Sequence, residues 1–390
     1  MLDEVERAAA PETTKKRVIV VTGGPGSGKS AIAIEIMNAL RGTDHTVVHA
    51  TGSSAFTTTL RKRSDKRGPE VNALFTYFMH IFKNHGKGRG IDVLICDEAH
   101  RVRRISDGPR IKKTGLSQID ELIRCARVPV FFLDEQQAVR PDDVGTVGMI
   151  REYADQNDIV VRLVELEDQF RCGGSADYID WVSSLLGLRR GSYPAPWRGD
   201  DFTVRIASTP QEMEDFLKSR VEAGETARMT AGFCWEWNPP KDRILPNDVV
   251  IGDWARPWNK KGKGAVPSAA DSDLWATDPR GFGQIGCTYT AQGFEFDWAG
   301  VILGPDLVLG DGRLAVDPSK NCDRPLKGTK VKPVLDQEIE RLIRNAYYVL
   351  LTRGLRGVVI YAVDPALRDL LHELVDRGYR RREPTDAVAL

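Results

Sequence analysis

An apolar, β-branched run, Arg17-Val-Ile-Val-Val-Thr22, passes directly into Gly23-Gly-Pro-Gly-Ser-Gly-Lys-Ser30, and Ala, Ile and Met then recur at helical spacing as far as Leu40. Strand, glycine-rich loop and helix, in that order, are the context in which G-x-x-x-x-G-K-[ST] cradles phosphate. Gly23, Gly24, Gly26 and Gly28 permit the tight turn, with Pro25 and Ser27 completing the loop, so that backbone N–H groups converge on one oxyanion. The helix N-terminus adds a favourable dipole. Lys29 is expected to reach the β- and γ-phosphates of a bound nucleotide, and Ser30 to ligate its Mg²⁺. A strand ending in such a loop belongs to a βαβ unit, which restricts the fold to a mostly parallel sheet with helices on its faces.

Further strands are expected at residues 46–50, 91–96, 128–133 and 160–164. The second of these runs into Asp97-Glu98-Ala-His100. The carboxyl edge of a parallel sheet is where ligands bind. Asp97 is therefore expected to hold Mg²⁺ through water, and Glu98 to orient or activate an attacking water. His100 either couples nucleotide state to the neighbouring loop or is a packed histidine. Asp134 and Gln137, at D-x-x-Q spacing after the next strand, place an amide where it can report a γ-phosphate; the alternative is a turn capped by Asp134. A second unit is expected from about residue 165, with strands at 202–206, 299–303 and 357–361 and an amphipathic helix over 210–223. Residues 236–283 and 306–335 lack periodicity and are expected to be long irregular loops.

The basic and acidic residues balance, 55 against 55, which excludes a globally basic nucleic-acid-coating protein and leaves room for a local basic groove. Cys96, Cys125, Cys172, Cys234, Cys287 and Cys322 are scattered without a CxxC or zinc spacing, so reduced, buried thiols are expected. The lead MLDEVERAAAPETTKK has no apolar signal core, and no segment reaches membrane-spanning length. A cytoplasmic protein without membrane association is expected.

Taken in order, these motifs resemble those of superfamily 1 helicases. Leu166-Glu-Asp-Gln-Phe-Arg171 resembles the segment that opens the second RecA-like domain of such enzymes. Thr288-Tyr-Thr-Ala-Gln-Gly-Phe-Glu295 resembles the QG-x-E motif, and Tyr348-Val-Leu-Leu-Thr-Arg353 the last motif, whose arginine acts as a finger. More narrowly, Ala227-Arg-Met-Thr-Ala-Gly-Phe-Cys-Trp235, Pro257-Trp-Asn259 and Gly300-Val-Ile-Leu-Gly-Pro-Asp306 are similar to a bacterial family related to the helicase-like half of Schlafen proteins. The resemblance runs from about Arg17 to Pro365. It implies a polar lead over residues 1–16 and two RecA-like domains over 17–164 and 165–390, with ATP in the cleft between them. It implies that Arg171 and Arg353 reach γ-phosphate oxygens. Gln292, beside Gly293, and Glu295 would contact phosphate-side water and the ribose hydroxyls. Residues 1–22 hold no glutamine to read adenine, and no large insert domain is evident.

The resemblance makes single-stranded DNA or RNA the expected partner, with a protein partner of an ATP-gated switch as the alternative. Thr51-Gly-Ser-Ser-Ala-Phe-Thr-Thr-Thr-Leu-Arg-Lys-Arg63 resembles the helicase segment that touches a strand's backbone, its hydroxyls and cations suiting phosphate and Phe56 a base. Arg101-Val-Arg-Arg104 and Arg110-Ile-Lys-Lys113 either couple nucleotide to polymer or are solvated loops. Trp235, Trp237, Trp254, Trp258 and Trp275 are either stacking platforms or packing residues.

Overall fold

In the computed structural model, Val18 and Val20 pack on one face of a sheet while Ile19 and Val21 pack on the other. The structure describes the chain apart from residues 11–14, 65–67, 86–89, 107–113, 169, 171, 190, 192, 263, 265, 329–332 and 381–390, and only the backbone of residues 377–380. Two compact units are formed, Met1–Asp168 and Gln169–Leu390.

The first unit runs α1 (Leu2–Ala9), β1 (Arg17–Gly23), α2 (Lys29–Leu40), β2 (Val47–Thr51), α3 (Ser54–Arg63), α4 (Gly68–Leu74), β3 (Phe75–Tyr77), α5 (Phe78–His85), β4 (Val93–Asp97), α6 (Gln118–Cys125), β5 (Val128–Leu133), α7 (Val147–Gln156) and β6 (Val160–Leu166). Its strands lie in the order β3-β2-β4-β5-β1-β6, every pair parallel. The central strands are apolar throughout because helices cover both faces. One face packs Leu94, Cys96, Phe131 and Leu133 against Ile81, Leu122 and Ile150 of α5, α6 and α7. The other packs Ile95, Val130 and Phe132 against Ala33, Ile36, Met37 and Leu40 of α2.

Within the N-terminal lead, residues Leu2–Ala9 form a helix. Val5, Ala8 and Ala9, one helical turn apart, form the buried stripe of α1 and join the α2 face of the core. β6 continues to Leu166, past the boundary expected at residue 164. β3 is an unexpected short strand between two helices, paired with β2 from Phe75 to Tyr77.

The second unit runs α8 (Ala176–Leu185), β7 (Thr203–Ile206), α9 (Pro210–Glu222), β8 (Ala227–Ala231), β9 (Val249–Ile251), β10 (Trp254–Arg256), α10 (Thr288–Ala291), β11 (Phe296–Leu303), β12 (Leu307–Gly310), β13 (Arg313–Val316), α11 (Arg324–Lys327), α12 (Asp336–Leu351), β14 (Gly354–Ala362) and α13 (Pro365–Arg380). Its main sheet is parallel, in the order β7-β14-β11-β8.

Both stretches expected to be irregular contain ordered pairs. Residues 236–283 hold the β9–β10 hairpin, and Arg228 of β8 donates to the carbonyls of Trp275 (3.0 Å) and Asp278 (2.7 Å), anchoring the far end of the excursion to the sheet. Burial draws the Arg228 pKa down to about 10, so the guanidinium stays charged at neutral pH. Residues 306–335 hold the β12–β13 hairpin, turned by Asp311-Gly312, both at positive φ (50° and 74°). That is the type I′ geometry for which Asp-Gly is favoured.

Candidate nucleotide site

Gly26 and Gly28 take left-handed φ values of 84° and 81°, and Gly28 is the N-cap of α2. A Cβ on Gly23 would lie 2.4 Å from Ser27 Oγ, so the loop closes only around a glycine there. Ser27 Oγ donates to Gly24 O at 2.9 Å. Lys29 Nζ donates to Gly23 O and Gly24 O, each at 2.7 Å, which lays the ammonium along the concave side of the loop. Pro25 is buried, and Ser30 sits half-buried on the first turn of α2.

β5 is inserted between β1 and β4, so the turn after Leu133 lies between the glycine loop and Asp97. Asp97 is 1% exposed. Its Oδ1 accepts from the Glu98 N–H (2.9 Å); its Oδ2 accepts no hydrogen bond among the described residues and faces His49 Nε2 at 3.5 Å. Glu98 has φ 54°, an uncommon conformation for a non-glycine residue, and opens the tight turn Ala99–Arg101. Gly145 packs under this turn so closely that a Cβ would sit 1.8 Å from Ala99 O.

His100 is buried between the two strand ends. The Asp134 N–H donates to its Nδ1 (3.5 Å), and its Nε2 lies 3.1 Å from Glu98 Oε2. The imidazole thus bridges the Asp134 turn and the Glu98 carboxylate. Asp134 accepts from the Gln136 N–H (3.1 Å) and from Gln137 Nε2 (2.9 Å), so it is a turn cap and also the holder of the Gln137 amide. The structure thus brings Lys29, Asp97, Glu98, Asp134 and Gln137 to the carboxyl ends of β1, β4 and β5. Sequence reasoning passed over His49, because a histidine inside an apolar strand carries no signal of what it faces.

These residues fit a nucleotide with its Mg²⁺. The loop is a cradle that a side chain would fill, and Asp97 Oδ2 is a buried acceptor that receives no hydrogen bond among the described residues. No cluster of His, Cys, Asp and Glu able to hold a metal alone exists among the described residues. Mg²⁺ suits that arrangement, since it is usually bound through one carboxylate, a hydroxyl, waters and phosphate oxygens.

In the second unit, Gln292 caps α10 and is fully buried, Gly293 has φ 91°, and Glu295 is exposed. Arg353 is 1% exposed, its Nε donating to Val349 O (2.8 Å) at the end of α12. The Phe296 N–H donates to Arg353 O (3.0 Å), which sets the QG-x-E segment beside the Thr352-Arg353 segment at the amino ends of β11 and β14. Arg171 and the Arg110–Lys113 run lie outside the described residues.

A depression at the carboxyl ends of β2 and β3 is lined by Thr51, Gly52, Tyr77, Arg101, Arg103 and Arg140. A Cβ on Gly52 would lie 2.8 Å from Arg101 Cβ, so this wall packs against the turn that carries Glu98. The hydroxyls expected to meet phosphate are mostly turned inward: Ser53 is spent capping α3, and Thr57 and Thr59 are buried. Phe56 is half-buried beside the His49 ring, centroids 6.2 Å apart.

Residues 16–364 match the family model described as Schlafen group 3, DNA/RNA helicase domain. The chain belongs to this Schlafen group 3 helicase-domain family. The uncharacterized Saccharomyces cerevisiae protein YPL245W is 26% identical over 305 residues, covering 72% of this chain; the chain spans only 64% of that relative's length. Among solved structures, the Schlafen-type chain is similar to the arterivirus nonstructural protein 10 helicase (14% identity, 95% of this chain and 64% of that one, TM-score 0.39). It is also similar to the Pif1 helicase of Candida albicans (12% identity, 97% of each chain, TM-score 0.39). The two parallel sheets flanked by helices are the tandem RecA-like architecture expected of this Schlafen domain. No helix among its described residues is long and apolar enough to cross a membrane.

Proposed function

We propose that this domain hydrolyses ATP with Mg²⁺ and couples hydrolysis to single-stranded DNA or RNA. The observation that carries the reading is the joint placement of the Lys29 cradle, Asp97 and Glu98 at the carboxyl ends of β1 and β4, on the same edge of one sheet. Bound Mg²⁺ would neutralise charge on the β- and γ-phosphates, held by Ser30 directly and by Asp97 through water. Lys29 leaves the loop carbonyls for the γ-phosphate oxygens. Glu98, oriented by His100, takes a proton from the water that attacks γ-phosphorus as the bond to the ADP oxygen breaks. Gln137, held by Asp134, reports the γ-phosphate. From the second unit, Arg171 and Arg353 serve as cations for the transferring group, Gln292 with Gly293 orders phosphate-side water, and Glu295 takes the ribose hydroxyls. Support for a polymer comes from the family's DNA/RNA helicase description and from the arginine-lined depression packed against the Glu98 turn.

The test is steady-state ATP hydrolysis by wild type and Lys29→Ala, with and without single-stranded DNA and RNA, at two salt concentrations. Salt-sensitive stimulation of wild type alone is expected. Lys29-dependent turnover indifferent to both polymers would replace this reading with an ATP-gated switch acting on a protein partner.

A further inference from the structure

The five tryptophans clustered in the sequence separate into two groups. Trp254, Trp258 and Trp275 are 8%, 1% and 0% exposed and belong to the core; Trp235 and Trp237 are half-buried and keep ring surface toward solvent. The half-buried pair lies on the turn that leaves the carboxyl end of β8, and its floor is Trp258. Phe233 stacks on Trp258 at 5.6 Å with an interplanar angle of 17°, and Trp235 and Trp237 pack against Trp258 at 6.3 and 6.4 Å. The turn is pinned along its length. Trp235 Nε1 donates to Val250 O of β9 (3.1 Å), and Asn238 is held twice by the Asp248 carboxylate (2.9 and 2.8 Å). Rings held this way lose little freedom on binding a ligand.

The chemistry around the rings selects the ligand. Exposed Lys261 places its ammonium 5.7 Å from the Trp237 ring centroid and donates to Trp237 O (2.6 Å). Lys241 and Arg243 stand exposed on the adjoining loop with exposed Asp242 between them, and exposed Glu236 separates the two tryptophans, so the face is not simply a basic patch. Flat aromatic rings with a cation against one of them fit a base on a ring face and a phosphate on the ammonium.

We propose that Trp235, Trp237 and Lys261 form a stacking platform for single-stranded nucleic acid on the second unit. This rests on the reading above that the domain acts on such a strand. The platform is tied to the QG-x-E segment through the residue after its floor. Asn259 Oδ1 accepts from the Cys287 N–H and the Thr290 hydroxyl, both at 3.2 Å, and so braces α10, which leads into Gln292. A strand seated on the rings bears on the same turn that positions Gln292, which makes Asn259 a positioning residue for polymer-stimulated hydrolysis.

The test is fluorescence anisotropy of labelled oligo-dT and oligo-rU on the full chain, comparing wild type, Trp237→Ala, Trp237→Phe and Lys261→Ala. Trp237→Ala is expected to weaken binding roughly ten- to hundredfold, with Trp237→Phe close to wild type, the pattern of a lost and a restored stack. Lys261→Ala is expected to reduce the slope of log affinity against log salt by about 1. Asn259→Ala is expected to bind the strand as wild type does while losing its stimulation of turnover. Wild-type affinity and salt slope in both Trp237→Ala and Lys261→Ala would overturn the platform and leave the reading of the domain standing. Failure of wild type itself to bind either polymer would overturn that reading and the platform together.

Discussion

The proposed hydrolysis rests on a few side chains of the first unit whose loss should be separable. Lys29→Ala removes the cation that follows the γ-phosphate and is expected to abolish turnover. Glu98→Gln keeps the shape and the ATP affinity but loses the proton acceptor, and is expected to cut kcat by about 10²–10⁴-fold. Equal turnover by wild type and Glu98→Gln would sink the assignment. His49 acts through Asp97, standing 3.5 Å from Oδ2 with no solvent exposure. Partners of that kind shift metal affinity roughly 10–100-fold, so His49→Ala is expected to raise the Mg²⁺ concentration needed for half-maximal turnover by that factor. An unchanged Mg²⁺ titration would reduce His49 to packing. Arg353→Ala is expected to lower turnover about 10³-fold, the scale of finger removal, and a change under twofold would refute the role.

Elements are held to their sheets by buried polar networks as well as by apolar contact. At the carboxyl end of β11, Asp306 is fully buried and accepts from the Tyr347 hydroxyl of α12 and from Asn321 Nδ2 (2.8 Å), while Tyr347 also accepts from the Gly304 N–H (2.9 Å). Burial pushes the Asp306 carboxyl above its ordinary range in spite of these donors. A folded pKa above the unfolded one means the folded state holds the proton more tightly. This group's contribution therefore favours folding at low pH and wanes as pH rises through the raised value. Tyr347→Phe leaves the buried Asp306 carboxyl short of a donor and is expected to cost about 1–3 kcal/mol when that carboxyl is ionised. The loss should shrink as pH falls through the raised folded-state value, where the carboxyl takes up its proton. Thermal denaturation across pH checks this, and a penalty independent of pH would separate Tyr347 from Asp306. The β12–β13 hairpin beside this network was legible in Asp311-Gly312, a turn signal overlooked within a stretch rich in Gly, Pro, Lys and Asp. β8 was not legible: Ala227-Arg-Met-Thr-Ala231 has no β-branched run, and its Arg228 is tolerated only because carbonyls some fifty positions away accept its protons.

Across the whole molecule, zero net charge means that any pull on nucleic acid is local, at the arginine-lined depression of the first unit and the tryptophan turn of the second. Local binding of this kind should be salt-sensitive in proportion to a few phosphate contacts, not many. The sequence by itself determined the α/β class, the phosphate loop, the Asp97-Glu98 strand end and the order of the later motifs. Those features are local: strand, glycine turn and helix follow one another within a single βαβ unit, and their residue types are imposed by backbone conformation and by the ligand's charge. Only the tertiary structure decided that α1 is core, that β5 stands between the glycine loop and Asp97, that His49 faces that carboxylate, and that of the five tryptophans between residues 235 and 275 three are buried and two half-buried. Each of these depends on which distant segments share a sheet face or edge. Hydrophobicity and propensity along the chain do not encode that, because the same side chain is equally suited to a core, a brace or a binding surface until its neighbours are fixed.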